Sequence, residues 1–347
     1  MGALQQILLA GSRRYQYVRA VTIDYTKVPT ADQSNFPVLF SGTYAYLATT
    51  ANGGNVTNAN GYDIIFTSDA AGVTKLNHEI ETYTAASGLV NFWVRVPTVS
   101  HTANTVIYLW YGNSAISTSQ ENVTGVWDAN FKGVWHLPNG SSLTANDSTG
   151  VNNLTNNGTT PATTGKVDGA ASFNGSSQYL SRTSAITSAT DNYTMEAWIN
   201  PAVLNQLALA FYNGNDAEGY GFGIGSGAGV EGNTLQGLMG SITWIASNYT
   251  YTAGVWVHVV MVRNAGTTRF YVNGTVQSGT SASTPIAPNA RATIGNQFDG
   301  SNLPYRYFNG SVDEARISSS VRSADWITTE YNNQSSPSTF YSVGSAY

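Results

Sequence analysis

Four short segments in the second half of the chain combine aromatic rings with Asn, Asp and Gly. They are Phe211-Tyr212-Asn213-Gly214-Asn215-Asp216, Trp244-Ile245-Ala246-Ser247-Asn248-Tyr249, Gln297-Phe298-Asp299-Gly300 and Tyr305-Arg306-Tyr307. Aromatic rings bury a large area at a small entropic cost, while amides and carboxylates hydrogen-bond hydroxyl groups. This is the chemistry of a surface that binds sugars. The residues that we take as glycan-binding candidates are Tyr212, Asn213, Asp216, Trp244, Tyr249, Phe298, Asp299, Tyr305 and Tyr307.

Each of these segments, taken alone, is also typical of ordinary packing in a β protein, because Tyr and Trp are common in cores. Only the four segments together favour a saccharide surface. The two interpretations differ in one respect that a structure tests directly, which is whether the rings face solvent or the core.

The carboxylates and histidines do not form a pattern that is typical of an enzyme. A retaining glycosidase needs two carboxylates about 5–5.5 Å apart. The glutamates of the second half are instead scattered, at Glu196, Glu218, Glu231, Glu314 and Glu330. Glu196 lies on an apolar segment and His258 lies between valines, so we interpret both as buried structural residues with partners. We therefore predict no catalytic residue and no enzyme, with a glycoside hydrolase or lyase as an alternative.

The elements that must position these loops are predicted to be β-strands. Only 10% of the 347 residues are charged, against about 25% in a typical soluble protein, and helices normally need charged residues on their solvent face. A surface of Ser, Thr, Asn and Gly suits strands and turns. A net charge of -5 argues against a nucleic-acid partner, which requires clustered cations. No apolar run is long enough for membrane insertion, and without cysteine neither disulfides nor thiolate metal sites form.

Six β-type blocks follow one another in the first third of the chain. They are Tyr17-Val18-Arg19-Ala20-Val21-Thr22-Ile23, Asn35-Phe36-Pro37-Val38-Leu39, Gly61-Tyr62-Asp63-Ile64-Ile65-Phe66-Thr67, Leu76-Asn77-His78-Glu79-Ile80-Glu81, Phe92-Trp93-Val94-Arg95-Val96-Pro97 and Tyr108-Leu109-Trp110-Tyr111-Gly112-Asn113. This order resembles the uncharacterised β-sandwich domain that often precedes a laminin-G-like domain in bacterial, archaeal and phage surface proteins. The resemblance implies a β-sandwich over residues 15–125 and implies no activity.

A second set of blocks fills the rest of the chain. It includes Gly165-Lys166-Val167-Asp168-Gly169, Tyr193-Thr194-Met195-Glu196-Ala197-Trp198-Ile199, Gly254-Val255-Trp256-Val257-His258-Val259, Arg269-Phe270-Tyr271-Val272-Asn273-Gly274 and Phe308-Asn309-Gly310-Ser311-Val312-Asp313-Glu314-Ala315-Arg316-Ile317. These blocks resemble the concanavalin A-like, laminin-G-like jelly roll, which we place at residues 141–347. The fold class is thus all-β, with two antiparallel β-sandwiches.

Two local signals agree with the jelly roll. Asn273-Gly274 predicts a two-residue type I′ hairpin, and Ser323 is expected to cap a helical turn that contains Trp326. The stretch 126–140 carries Trp127 and Trp135, which a flexible linker would hardly do, so we expect a packed linker.

The resemblance also implies a structural calcium ion. The family often holds one beside the strand that here reads Gly310-Ser311-Val312-Asp313-Glu314, so Asp313 is a candidate ligand, with Asp147 as the second. Calcium takes six to eight oxygen ligands. The alternative from the residues alone is that Asp313 caps a turn or pairs with Arg316.

The first 14 residues contain a short apolar run without the features of a Sec signal peptide. Leu4, Ile7, Leu8 and Leu9 form too short an apolar run, against the 7–15 residues or so of a signal, and no basic region precedes them. The segment is either a terminal strand or helical turn, or a peptide that docks on a partner subunit, which is what we expect.

Two compatible functions follow. The first is a non-catalytic surface module, extracellular or on a virion, that binds glycans or a host cell surface. The second is a structural, decoration or tail-associated component of a phage virion, held through its N-terminal peptide and able to form a homo-oligomer. A bacterial carbohydrate-binding adhesin is the alternative to the virion role.

Overall fold

A computed structural model describes residues 15–138 and 143–347. The expected docking peptide, with Leu4, Ile7, Leu8 and Leu9, lies outside these residues. Within them, each helix is too short or too polar to span a membrane.

Strands dominate the chain and confirm the all-β fold class. In chain order they are β1 (Tyr17–Ile23), β2 (Gln33–Thr43), β3 (Ile65–Thr67), β4 (His78–Thr84), β5 (Leu89–Val99), β6 (Thr105–Tyr111), β7 (Phe131–Trp135), β8 (Thr155–Asn157), β9 (Ala162–Thr164), β10 (Gly169–Asn174), β11 (Tyr179–Ser184), β12 (Tyr193–Pro201), β13 (Ala208–Asn215), β14 (Glu218–Gly225), β15 (Thr234–Met239), β16 (Thr243–Thr250), β17 (Val257–Asn264), β18 (Thr267–Val272), β19 (Thr275–Ser281), β20 (Ala290–Ile294), β21 (Gln297–Phe298), β22 (Pro304–Tyr305), β23 (Asn309–Ser318) and β24 (Tyr341–Val343). The described helices are α1 (Val123–Val126), α2 (Ala324–Ser335) and α3 (Pro337–Phe340), with 3-10 turns at Tyr25–Lys27, Ala45–Leu47 and Thr50–Asn52.

The chain divides into two compact units, of which the first runs to Asp128 and also includes Thr328–Tyr347. It contains a four-stranded sheet, β24-β1-β6-β3, and a three-stranded sheet, β2-β5-β4. Phe40 on β2 packs against Phe66 on β3 and against Tyr341 on β24, with ring centroids 5.4 and 5.2 Å apart. Apolar rings between two sheets give the packed faces of a sandwich.

The last residues of the chain belong to the first unit, whereas the sequence predicted them in the second domain. Strand β24 pairs with β1, with Val343 opposite Val21, so the chain end completes the first unit. The expected linker 126–140 also contains a strand, since β7 pairs with β23 and sets Trp135 opposite Ala315.

The second unit, Ala129–Ile327, is formed by two large antiparallel sheets. The eight-stranded sheet has the order β19-β18-β17-β12-β23-β10-β9, with β7 also on β23. The seven-stranded sheet has the order β16-β15-β14-β13-β20-β11-β8. Their facing sides share one hydrophobic core, to which Met195 and Phe270 contribute from the first sheet and Phe222 and Ile294 from the second. This is the sandwich that positions the glycan candidates.

Both local signals are confirmed. Asn273 and Gly274 have φ of 50° and 78° and connect β18 to β19 with Val272 opposite Thr275, as a type I′ turn requires. The Ser323 Oγ accepts a hydrogen bond from the Trp326 amide at 3.1 Å. Helix α2 continues to Ser335 rather than ending after one turn, because no proline or glycine interrupts it before Pro337.

Candidate functional site

The predicted loops meet on the outer face of the seven-stranded sheet. Leu209, Tyr212 and Leu238 form a small cluster of their own, against which Trp244 packs. Their neighbour Phe211 lies in the main core instead. Because successive side chains of a strand point to opposite faces, the small cluster marks the face that turns away from the core.

A β-hairpin covers part of this face. Strands β21 and β22 pair, with Gln297 opposite Tyr305, and we call residues 297–306 the covering hairpin. The Asp216 amide, in the turn between β13 and β14, donates to the Phe298 carbonyl at 2.9 Å. The Asp299 Oδ1 accepts from the Ser301 and Leu303 amides at 2.9 and 2.8 Å, so this glycan candidate organises the tip of the hairpin.

The first depression on this face, the Trp244 cleft, has a volume of about 290 Å³. It is lined by Asp216, Leu238, Ser241, Ile242, Thr243, Trp244 and Arg306. Asp216 and Trp244 are both glycan candidates from the sequence, and the structure brings them to one cavity. Arg306 also lines the cavity but is not among the candidates, because the sequence shows it only as the residue between two tyrosines.

A network of short contacts fixes the polar groups of the Trp244 cleft. The Tyr305 hydroxyl donates to Asp216 Oδ2 at 2.6 Å. The Arg306 guanidinium lies 4.8 Å from the Trp244 ring centroid and 4.4 Å from that of Tyr305, and its Nη1 donates to Gln297 Oε1 at 2.7 Å. Burial and the hydrogen bond to Asp216 raise the pKa of Tyr305, so this hydroxyl stays a donor at neutral pH.

Backbone strain accompanies this network. Arg306 has φ of 49°, a left-handed conformation that costs energy in any residue with a Cβ. Such outliers persist where the surroundings force them and are frequent in binding sites.

A second depression, the Arg291 groove, has a volume of about 520 Å³. Its lining residues are Thr155, Asn157, Tyr179, Ser181, Arg182, Thr183, Arg291, Phe298, Asn302 and Pro304. Of the predicted residues, Phe298 lines it and Tyr307 lies beside it, with its ring 6.0 Å from that of Tyr179. The covering hairpin contributes to both depressions. Tyr179 and Arg291 were missed because they lie within strands rather than loops.

Three glycan candidates line neither depression. Tyr212 is buried beneath Trp244. Asn213 is fully buried, and its side chain accepts from the Ile186 amide at 2.8 Å and donates to the Thr187 carbonyl at 2.9 Å. Tyr249 packs edge-on against Tyr251, with centroids 5.4 Å apart. These side chains hold the second unit together and do not face the cavities.

Glu196 is part of a buried ion-pair cluster on the other sheet. Arg316 Nη2 lies 2.5 Å from Glu314 Oε2, and its Nη1 lies 3.8 Å from Glu196 Oε1. His136 Nδ1 lies 2.7 Å from Glu314 Oε1. His258 is buried, with its ring 5.2 Å from that of Trp198. Glu196 thus has the charged partner expected of a structural carboxylate.

Asp147 does not fit the role of calcium ligand. Its Oδ1 accepts from the Val134 and Thr149 amides, and its Oδ2 accepts from the Thr149 hydroxyl and the Val151 and Asn152 amides. A carboxylate offers about four lone-pair sites. These donors therefore leave no site for a metal, and they show what the residue does, which is to organise its own loop.

Asp313 is different, since only one of its oxygens is engaged. Its Oδ2 accepts from the Lys166 and Val167 amides, both at 2.8 Å, whereas the buried Oδ1 has no partner. Burial and the charge of Glu314 raise the pKa of Asp313 well above its usual range, so the group is stable there as a neutral acid. Calcium at Asp313 stays a prediction.

The comparisons with known families agree with this layout. Residues 174–328 match the family described as the concanavalin A-like lectin/glucanases superfamily. Residues 60–136 match a domain of unknown function, DUF2341. The order of the two matches confirms the expected two-domain arrangement and the jelly roll of the second half. No curated protein matches the chain.

Several solved structures are similar over part of the chain. Domain 4 of AbnA, a GH43 extracellular arabinanase from Geobacillus stearothermophilus, in complex with arabinotriose, is 22% identical over 58% of this chain and 98% of its own, with a TM-score of 0.47. The binding domain of Paraclostridial Mosquitocidal Protein 1 is 15% identical over 58% and 52%, with a TM-score of 0.45. The binding domain of botulinum neurotoxin DC in complex with SialylT is 15% identical over 61% and 52%, with a TM-score of 0.46. The chain spans about half the length of the last two, and these values are too low to transfer a ligand.

The hydrogen bonds of Asp147 predict how the protein responds to a chelator. Asp147→Asn is expected to lower the free energy of unfolding of the full chain by about 2 kcal/mol, because the amide cannot accept from all of these donors. The loss should be the same in excess calcium and in EDTA, measured by guanidinium denaturation. Glu231→Gln, an exposed carboxylate, is the control and should change stability by less than about 0.5 kcal/mol. A loss that appears only with calcium would make Asp147 a metal ligand.

Proposed function

We propose that the protein is a non-catalytic glycan-binding module, and that its binding surface is the outer face of the seven-stranded sheet around the covering hairpin. The observation that carries the proposal is the Trp244 cleft, where an indole ring, the Asp216 carboxylate and the Arg306 guanidinium line one cavity. The match of residues 174–328 to a superfamily of lectins and glucanases supports it.

The three groups suit the chemistry of a sugar ring. The half-buried Trp244 ring offers a flat apolar surface for the C–H face of a pyranose. Asp216 accepts hydrogen bonds from hydroxyl groups, and Arg306 donates to ring and hydroxyl oxygens. Because Tyr305 and Gln297 already orient both charged groups, little side-chain entropy is lost when a ligand binds.

The composition of the cleft favours binding over hydrolysis. Among the described residues that line it, Asp216 is the one carboxylate, and glycoside hydrolysis requires a pair. Glu196 has its charged partners in the other sheet, so it cannot supply the second carboxylate without breaking them.

The cleft gives a direct prediction for binding. Trp244→Ala should weaken the binding of a neutral oligosaccharide by about 10- to 100-fold, the usual loss when a buried aromatic contact is truncated at a binding site. The oligosaccharide would be the tightest neutral binder on a glycan array, and the affinity would be measured by calorimetry. Asp216→Asn should weaken the same binding without removing the ring.

Tyr25→Ala is the matched control for this variant, because Tyr25 is 41% exposed and lies in the first unit. It should leave the affinity unchanged. Circular dichroism would show that Trp244→Ala and Tyr25→Ala are folded. If the wild type and Trp244→Ala then bind the oligosaccharide with equal affinity, the Trp244 cleft is excluded as the glycan-binding site.

We also propose that the module is displayed on a virion or a bacterial surface, held by the apolar side chains Leu4, Ile7, Leu8 and Leu9. Burying apolar side chains against a partner subunit is favourable in proportion to their area. Deletion of residues 2–12 should abolish co-sedimentation with the purified particle and leave oligosaccharide affinity unchanged. Undiminished co-sedimentation would show that these residues do not hold the module.

A further inference from the structure

The Arg291 groove has a different chemistry from the Trp244 cleft. Its lining contains arginine, hydroxyl groups, amides and two aromatic rings, and none of the described residues that line it is an acid. This stands out in a chain whose net charge is -5. A cavity of positive potential on an acidic protein attracts anions and repels cations.

The Arg291 guanidinium is held in a fixed orientation within the groove. Its central carbon lies 4.1 Å from the Phe298 ring centroid, and its Nε donates to Asn302 Oδ1 at 3.2 Å. These contacts leave Nη1 and Nη2 without a partner among the described residues. Arg291 also has φ of 56°, although it lies inside β20 with its neighbours in regular pairing. Arg291 thus presents two free terminal amino groups, Nη1 and Nη2, from a guanidinium plane that is stacked and oriented.

The second arginine of the lining does not share this role. Arg182 lies two residues after Leu180, whose side chain is in the main core, so strand alternation turns Arg182 to the same face. Its Nη2 donates to Ser184 Oγ at 2.9 Å. Arg291 is therefore the arginine of the lining whose two terminal amino groups are both free for a ligand.

We propose that the Arg291 groove binds the carboxylate of an acidic saccharide, such as a uronic acid residue. This rests on the proposed glycan-binding function and names the class of sugar. A guanidinium with two parallel N–H groups matches the two oxygens of a carboxylate, and such paired bonds are among the strongest in proteins. Tyr179 lines the groove, is half-buried and gives the sugar ring a flat surface. Asn157 and Ser181 offer partners for the hydroxyl groups of the sugar.

The test compares the affinity of acidic oligosaccharides with that of the same oligosaccharides after reduction of their carboxyl groups. We would titrate three kinds of acidic oligomer into the full chain, each beside its carboxyl-reduced counterpart. They are oligomers of galacturonate, of mannuronate and guluronate, and of hyaluronan. At least one acidic oligomer should bind at least tenfold more tightly than its reduced form. R291Q should remove this preference, and so should R291K, because an ammonium group cannot form the paired bonds.

R269Q is the matched control, since Arg269 is an exposed arginine of the other sheet and its replacement changes the net charge equally. It should keep the preference for the acidic oligomer. An equal loss in R269Q and R291Q would show long-range attraction only and would overturn the proposed contact.

The remaining outcomes separate this proposal from the proposed function. Acidic oligomers that bind no more tightly than their reduced forms, while a neutral oligosaccharide still binds through Trp244, would overturn the Arg291 proposal alone. Absence of binding by every oligosaccharide, acidic or neutral, would overturn both.

Discussion

The hydrogen bond between the Tyr305 hydroxyl and the Asp216 carboxylate, at 2.6 Å, fastens the covering hairpin to the turn between β13 and β14. The amide of Asp216 adds a second link through the Phe298 carbonyl. Because residues of this hairpin line both the Trp244 cleft and the Arg291 groove, the shape of each depends on these bonds. The Leu209 amide holds the other end of the hairpin through the Arg306 carbonyl, at 3.2 Å.

The jelly roll supplies the rigidity that such a surface needs. The inner face of the seven-stranded sheet is buried in the main core, so the strands beneath the cavities cannot move without disturbing close-packed side chains. The polar residues of the outer face are not part of this core and remain available for contacts with a ligand. The two arginines at positive φ, Arg291 and Arg306, are tolerated because the surrounding sheet and hairpin fix the backbone on both sides.

The sequence predicted most of the fold and about half of the site, and the differences have physical causes. Trp244, Asp216 and Tyr305 lie at or beside turns, where composition alone indicates exposure. Tyr212 lies within β13, whose register shifts between Leu209 and Phe211. A bulge reverses the alternation that follows it, so the face of Tyr212 cannot be read from the pattern of hydrophobic residues.

Two other differences arise from contacts between residues that are far apart in the chain. Arg291 acquires its role from Phe298 and Asn302, which local sequence does not connect to it. Strand β24 pairs with β1 at the other end of the chain, so a boundary drawn from consecutive blocks assigned it to the second domain. Pairings of this kind depend on the whole topology and leave no local signal.

Hydrogen exchange of the full chain, measured by mass spectrometry with and without a saturating oligosaccharide, tests most directly whether the outer face of the seven-stranded sheet is the binding surface. The account predicts slower exchange in the covering hairpin, residues 297–306, and in the turn at 241–244, with no change in strands β1 to β6 of the first unit. Protection confined to the first unit or to the eight-stranded sheet, with the hairpin unchanged, would contradict it.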